Sequence, residues 1–245
     1  MSGFFGCISR RECVSDVFYG TDYHSHLGTK RAGMAFYDGT KFVRSIHSLE
    51  NGYFRNKFED ELPRFGESKM GVGVISDSES QPITITSHLG RYSVVTVSRI
   101  DNIKELTESL LQQRMHFAEL SGSDINATEL VAMLIGMGNS IKEGIEYAQS
   151  QIKGSCSMLV LTDYAIYAAR DRFGRTPVIL GKKEDNMAVT METTAFPNLD
   201  YTIDRADEKL TENLIKQVHR LVKTGTSARR DDWSAVGDYK RLSNE

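Results

Sequence analysis

Prolines are scarce, with only four in 245 residues, and no stretch rich in Pro, Ser or Gly divides the chain. With no linker to cut it, a single domain is the economical reading. The three cysteines, Cys7, Cys13 and Cys156, are odd in number, form no CxxC pair and show no metal-ligand spacing to a histidine. That argues against a disulfide framework and against a zinc site, and it fits a reducing, cytoplasmic compartment. No run of about 18 apolar residues occurs, and no apolar stretch follows a basic opening. A soluble chain, processed at most by loss of Met1, is the expectation, with no membrane partner. Charge of one sign is lacking too. Thirty Lys and Arg against 33 Asp and Glu leave a net charge of -3, which supplies no basic field for nucleic acid.

What is present is a core and a pattern. A hydrophobic content of 40% suffices for a packed interior. Residues 3 to 9 (GFFGCIS) read as a short buried strand, and the segment from Cys13 reads as a helix stopping near Gly28. RAGMAFYDGTKFVRSI places two apolar runs about Asp38-Gly39, the strongest hairpin signal in the chain. Met70 to Asp101 is rich in β-branched residues and predicts two or three strands. Helical periodicity then runs through residues 103–120 and 127–152, the latter broken at Gly136 and Gly138. After Gly154 four strand-like runs return and read as a β-meander. Residues 207–225 (DEKLTENLIKQVHRLVKTG) predict an amphipathic helix capped at Gly225, and 226–245 read as a polar tail. Blocks of strands, helices and strands suggest an α+β architecture of stacked antiparallel sheets with helices outside, not βαβ units.

Four segments carry a family resemblance. Ser2-Gly3-Phe4-Phe5-Gly6 resembles a Cys-Gly-Ile-Phe-Gly opening. His26-Leu27-Gly28-Thr29-Lys30-Arg31-Ala32-Gly33, followed by an Asp-Gly turn, resembles His-Arg-Gly-Gln-Glu-Ser-Ala-Gly. Tyr167 to Pro177 reproduces Tyr-Ala-Ala-Arg-Asp-x-x-Gly-x-x-Pro, and Met191-Glu192-Thr193-Thr194-Ala195-Phe196 corresponds to Ser-Glu-Ser-Cys-Ala-Phe. In this order, over roughly residues 2 to 210, the chain resembles the glutaminase half of amidophosphoribosyltransferases, class II glutamine amidotransferases. The resemblance implies an N-terminal-nucleophile (Ntn) four-layer αββα sandwich of two mainly antiparallel sheets, spanning 2–225. It also implies purine nucleotide synthesis, no cofactor and no metal, and a phosphoribosyltransferase domain as partner in cis or trans. A homo-oligomer is left open.

In such enzymes the first residue of the mature chain is the nucleophile, and its own α-amine, with a pKa near 8, serves as general base. Here the resemblance puts Ser2 in that place, and a free Ser2 could attack an amide; the alternative is an ordinary polar residue leading into the first strand. The other matched positions depart further. The family's carboxylate-binding arginine falls on Ser76, with Asp77 beside it to repel a carboxylate. Its oxyanion-hole Asn-Gly falls within Arg99-Ile100-Asp101, so both donors are altered, and one lost donor costs about 100- to 1000-fold in turnover. Arg99 reads better as a solvated strand-end residue than as a replacement donor. The family's ammonium-binding aspartate falls on Ala127. A preserved scaffold with a degenerate pocket is therefore expected.

Three further features take ordinary readings. Arg170 and Asp171 read as an architectural ion pair at a turn. A strand places Cys7 about 17 Å from Ser2, so it reads as a small core hydrophobe. Asp22, His24 and His26 resemble a metal or acid-base cluster on paper, but residues two apart on a helix face different ways, and surface polarity is the better reading.

Overall fold

The computed structural model describes residues 2–121, 124–184 and 186–203. The helix expected over 207–225, the domain boundary at 225 and the tail beyond it lie outside the described residues.

The N-terminal third forms β1 (Gly3–Ile8), α1 (Val14–Asp22), β2 (Arg31–Tyr37), β3 (Phe42–Ser48), α2 (Phe54–Phe58) and β4 (Met70–Ser76). The middle adds β5 (Ile83–Ser87), β6 (Gly90–Ile100), α3 (Ile103–Gln112), β7 (Leu120–Ser121), β8 (Asp124–Ile125), α4 (Ala127–Ile135) and α5 (Ile141–Gln151). The remainder is β9 (Gly154–Leu161), β10 (Ile166–Ala169), β11 (Ile179–Lys183), β12 (Asn186–Thr190), α6 (Ala195–Asn198) and β13 (Thr202–Ile203). These strands build a seven-stranded sheet in the order β13-β11-β12-β1-β4-β2-β3 and a four-stranded sheet in the order β10-β9-β6-β5, with β7 and β8 forming a separate pair. Every strand pairing is antiparallel.

Alternation along the strands sorts side chains into layers. Phe4, Val72, Val74, Val95, Leu159 and Leu161 are fully buried between the two sheets. Their neighbours Phe5, Ile75, Val94, Met158 and Val160 point outward beneath helices. α1, α2 and α6 cover the seven-stranded sheet with Val17, Phe18, Phe54, Phe58 and Phe196. α3, α4 and α5 cover the four-stranded sheet with Leu106, Leu110, Leu130, Val131, Ile141 and Ile145. Strands buried on both faces read in sequence as unbroken apolar runs, as GVGVIS and CSMLVL do. Helix, sheet, sheet, helix is the resulting order, the α+β sandwich expected.

The Asp38-Gly39 hairpin forms as anticipated. Asp38 Oδ1 accepts the Thr40 and Lys41 N–H groups at 2.9 Å each, and Gly39 takes φ 95°, a conformation that costs a residue without Cβ little. Two helices are shorter than their patterns. α1 stops at Asp22, and a separate 3-10 turn, Ser25–Leu27, carries the chain to Gly28. α3 ends at Gln112 because Arg114 turns left-handed at φ 64° and Met115 N–H closes back on the Leu110 carbonyl at 3.1 Å. The expected β-meander after Gly154 is corrected: β9 and β10 pair within the smaller sheet, whereas β11 and β12 pair within the larger one. The turn between β10 and β11 is therefore a crossing between sheets.

Candidate functional site

Ser2 leads directly into β1, the middle strand of the seven-stranded sheet. The two-residue period puts residue 2 on the same side as Phe4, toward the inter-sheet layer. There it lines a cavity of about 380 Å³. The segment after β4 contributes Asp77 and Ser78, the end of β6 contributes Val97 and Ser98, and the 3-10 turn contributes Leu27. Thr176 and Pro177 come from the turn between sheets, and Met191 and Glu192 from the segment after β12. A neighbouring groove of about 680 Å³, bordered by Ile103, Lys104, Thr107 and Asp124, shares Ser78 with it.

Hydrogen bonds fix each wall. Asp77 Oδ1 accepts the Thr29 N–H at 2.8 Å, tying the end of β4 to the start of β2. The turn between sheets is organised from inside by Asp171. Its carboxylate accepts the N–H of Phe173 at 3.0 Å, the N–H of Thr176 at 2.9 Å and the Thr176 hydroxyl at 3.1 Å. Burial raises this carboxyl's pKa, but the donors outweigh burial and hold it below the usual carboxylate range. Arg170 grips the same turn by donating to the carbonyls of Thr176 at 3.2 Å and Gly174 at 2.8 Å. The expected Arg170–Asp171 ion pair is thus corrected. Both residues are architectural, but adjacent side chains leave extended backbone in opposite directions, and each binds backbone in place of the other.

The wall after β12 is held by the two histidines. His24 is fully buried, with Nδ1 2.7 Å from the Gly20 carbonyl and Nε2 3.0 Å from Thr190 Oγ1. Burial pushes its pKa down. Thr190 Oγ1 in turn lies 3.0 Å from the Glu192 carbonyl, and His26 Nε2 lies 2.9 Å from the Glu192 carboxylate. Asp22 instead pairs with Arg55 at 2.7 Å. The three residues do not meet, and surface polarity is the wrong reading for His24, because the chain leaves α1 after Asp22 and folds residue 24 beneath β1. A Cβ on Gly3 would sit 2.7 Å from both His24 Cδ2 and Leu27 Cδ1, so this glycine lets the first strand lie flat over the ring. Among the described residues no group of three or more His, Cys, Asp or Glu could hold a metal ion.

Of the seven positions singled out in sequence, the structure gathers Ser2 and Asp77 around one cavity. Ser76 is fully buried at the end of β4, where its Oγ accepts the Ser78 N–H at 3.2 Å. Arg99 and Asp101 stand in solvent at the end of β6, 3.3 Å from each other and 86% and 58% exposed. Neither they, nor Ile100, nor Ala127 lines the cavity. Ala127 is the buried first residue of α4, behind the Asn126 cap that accepts the N–H groups of Thr128 and Glu129. Sequence reasoning missed Ser78, Ser98, Thr176 and Glu192. Thr176 and Glu192 sit inside two of the matched motifs, so the signal was present but was taken as architecture.

Comparison with known proteins agrees with this arrangement. Residues 68–198 match the model of the glutamine amidotransferase domain. The amidophosphoribosyltransferase of Methanocaldococcus jannaschii is 26% identical over 211 residues, 82% of this chain and 44% of the relative. That of Bacillus subtilis is 26% identical over 206 residues, 79% and 41% respectively. The glutamine phosphoribosylpyrophosphate amidotransferase of B. subtilis, solved with ADP and GMP, shares the fold with a TM-score of 0.73 over 82% of this chain and 44% of that one, at 24% identity. A structure described as the allosteric regulatory enzyme of purine biosynthesis gives the same TM-score of 0.73 at 25% identity. The chain thus spans less than half the length of the relatives it matches.

Proposed function

This chain belongs to the glutamine amidotransferase family, in its class II Ntn form, and we propose that it is a glutaminase-like domain that does not hydrolyse glutamine. In this reading it docks on or regulates a phosphoribosyltransferase part, in cis or in trans, within purine nucleotide synthesis. Any amide nitrogen transferred would come from free ammonia.

One observation carries the reading. Among the described residues the cavity beside Ser2 is lined by two carboxylates, Asp77 and Glu192, and by no Lys or Arg. Glutamine presents an α-carboxylate, which needs a cationic donor in a site withdrawn from water; the Ser76 hydroxyl offers no charge and no bidentate fork. Asp77 and Glu192 add repulsion. A second reading keeps Ser2 as nucleophile toward an amide without an α-carboxylate, and the position of Ser2 on the cavity wall supports it.

The two separate by experiment. Ammonia release from L-glutamine is measured with the purified chain, intact mass establishes that Ser2 is N-terminal, and Ser2→Ala is run alongside. No release from a folded chain with a free Ser2 amine is the expected result. Release that disappears in Ser2→Ala overturns it and makes Ser2 the nucleophile, as does a covalent Ser2 adduct with an electrophilic amide analogue.

A further inference from the structure

The geometry points to a phosphate site at the edge of the sandwich, in a cleft between β3 and β5 that takes a tetrahedral dianion, free or as the end of a phosphomonoester. The cleft has a volume of about 320 Å³ and is lined by Phe42, Arg44, Thr84, Thr86 and Arg91. It shares no residue with the cavity beside Ser2. Arg91 lies near the start of β6 and Ser98 near its end, roughly 23 Å apart by strand geometry, so the two sites are separate.

Strand register explains why charge collects there. Arg91, Ser93 and Val95 alternate onto one face of β6, and Val95 is buried between the sheets, so Arg91 looks into the same layer where it opens to solvent. Thr86 and Thr84 of β5 stand directly opposite Arg91 and Ser93. From the other sheet, Phe42 and Arg44 of β3 complete the lining, with Phe42 packed against the inter-sheet cluster. Where the layer holds valine and leucine deeper in, its edge holds two guanidiniums and two threonine hydroxyls, and among the described residues no Asp or Glu lines the cleft.

Part of this donor set is already engaged. Arg44 Nη1 donates to the Pro82 carbonyl at 3.1 Å, and its Nη1 and Nη2 lie 3.4 and 3.3 Å from Glu119 Oε1, which offsets its charge. Arg91 has no such carboxylate. Its Nε–H donates to Thr86 Oγ1 at 3.2 Å, and among the described residues its two Nη groups, with four N–H bonds, meet no acceptor. Thr86 Oγ1 accepts that bond and keeps its own proton to give. Thr84 and Ser93 share one hydroxyl hydrogen bond, which uses one of their two protons and leaves the other. A planar fork beside hydroxyl donors suits oxygens set around a phosphorus, and the uncompensated positive charge selects an anion. Phe42 supplies an apolar wall for the carbon end of an ester.

Titration calorimetry compares inorganic phosphate, glycerol 3-phosphate and acetate at constant ionic strength and about pH 7.5, where a phosphomonoester is mostly a dianion. Phosphate is expected to bind about tenfold more tightly than acetate, which is planar and carries one charge. In Arg91→Gln, an exposed position, the phosphate affinity falls about tenfold or more, because the uncompensated fork is lost. Lys142→Gln, which removes one exposed charge from α5, leaves it unchanged. Phosphate binding no tighter than acetate, no phosphate binding at all, or binding retained in Arg91→Gln overturns the proposal. An equal loss in Lys142→Gln overturns it too, since that marks a diffuse effect of net charge. With the site upheld, tighter binding of glycerol 3-phosphate than of phosphate assigns it to an ester, and equal or weaker binding assigns it to the free ion. None of these outcomes depends on Ser2 or on glutamine.

Discussion

Replacing Thr190 by valine tests how the cavity wall after β12 is held. Because the Gly20 carbonyl can only accept, His24 Nδ1 carries the ring proton, and in the neutral ring Nε2 is an acceptor. The Thr190 hydroxyl, 3.0 Å from Nε2 and 3.0 Å from the Glu192 carbonyl, holds the one proton in reach of both acceptors. Valine keeps the shape and removes that donor. The Glu192 backbone groups that also contact Thr190 belong to a half-buried segment and can turn to water, but His24 is fully buried and its Nε2 is left unsatisfied. A stranded buried acceptor costs about 1–3 kcal/mol, so about 2 kcal/mol is expected. For a domain of this size that lowers Tm by roughly 4–8 °C. Urea unfolding with matched slopes, together with a thermal scan, reads the difference, and Thr190→Ser, which keeps the hydroxyl, stays close to the parent. A valine variant within about 0.5 kcal/mol of the parent, or a serine variant as weak as valine, refutes the reasoning.

Two other outcomes follow from burial. His24 has a folded pKa depressed below the free value of about 6.5, so the unfolded chain binds a proton before the folded one. Its contribution is complete above about pH 6.5 and is lost as pH falls below that; the urea midpoint should drop between about pH 6.5 and 5.5, and a slope identical in His24→Gln would remove His24 as its source. Cys7, Cys13 and Cys156 are at most 3% exposed, and burial drives the Cys156 thiol up to about 12. A chromogenic disulfide reagent should label none of the three in the native chain and all of them in guanidinium; one fast native thiol contradicts this.

Periodicity made most of the elements legible. The Asp38-Gly39 hairpin, the three strands between Met70 and Ile100 and the break between α4 and α5 follow from local residue chemistry, which is what a sequence records best. Strand partners are not local. PVILGKK looks like a continuation of AIYAARD, and only the sheet order separates them, because pairing depends on residues far away in the chain. Part of the candidate site was legible by position, through Ser2 and Asp77. Glu192 and Thr176 lie inside two matched motifs, but their place on the cavity wall comes from the segment after β12 and from the crossing between β10 and β11, which no local pattern records. His24 was misread because burial of a polar ring depends on where the chain goes after α1 ends.

β1 is the fourth of seven strands, flanked by β12 and β4 and buried on both faces. The residue just before it is carried to the cavity by the part of the fold that can least be altered. Substitutions at the rim, at Asp77 or Glu192, can change what the cavity accepts at small cost to folding, while loss of the strand that delivers Ser2 would take the domain with it. An architecture wired in this way lets the lining vary while the vessel persists.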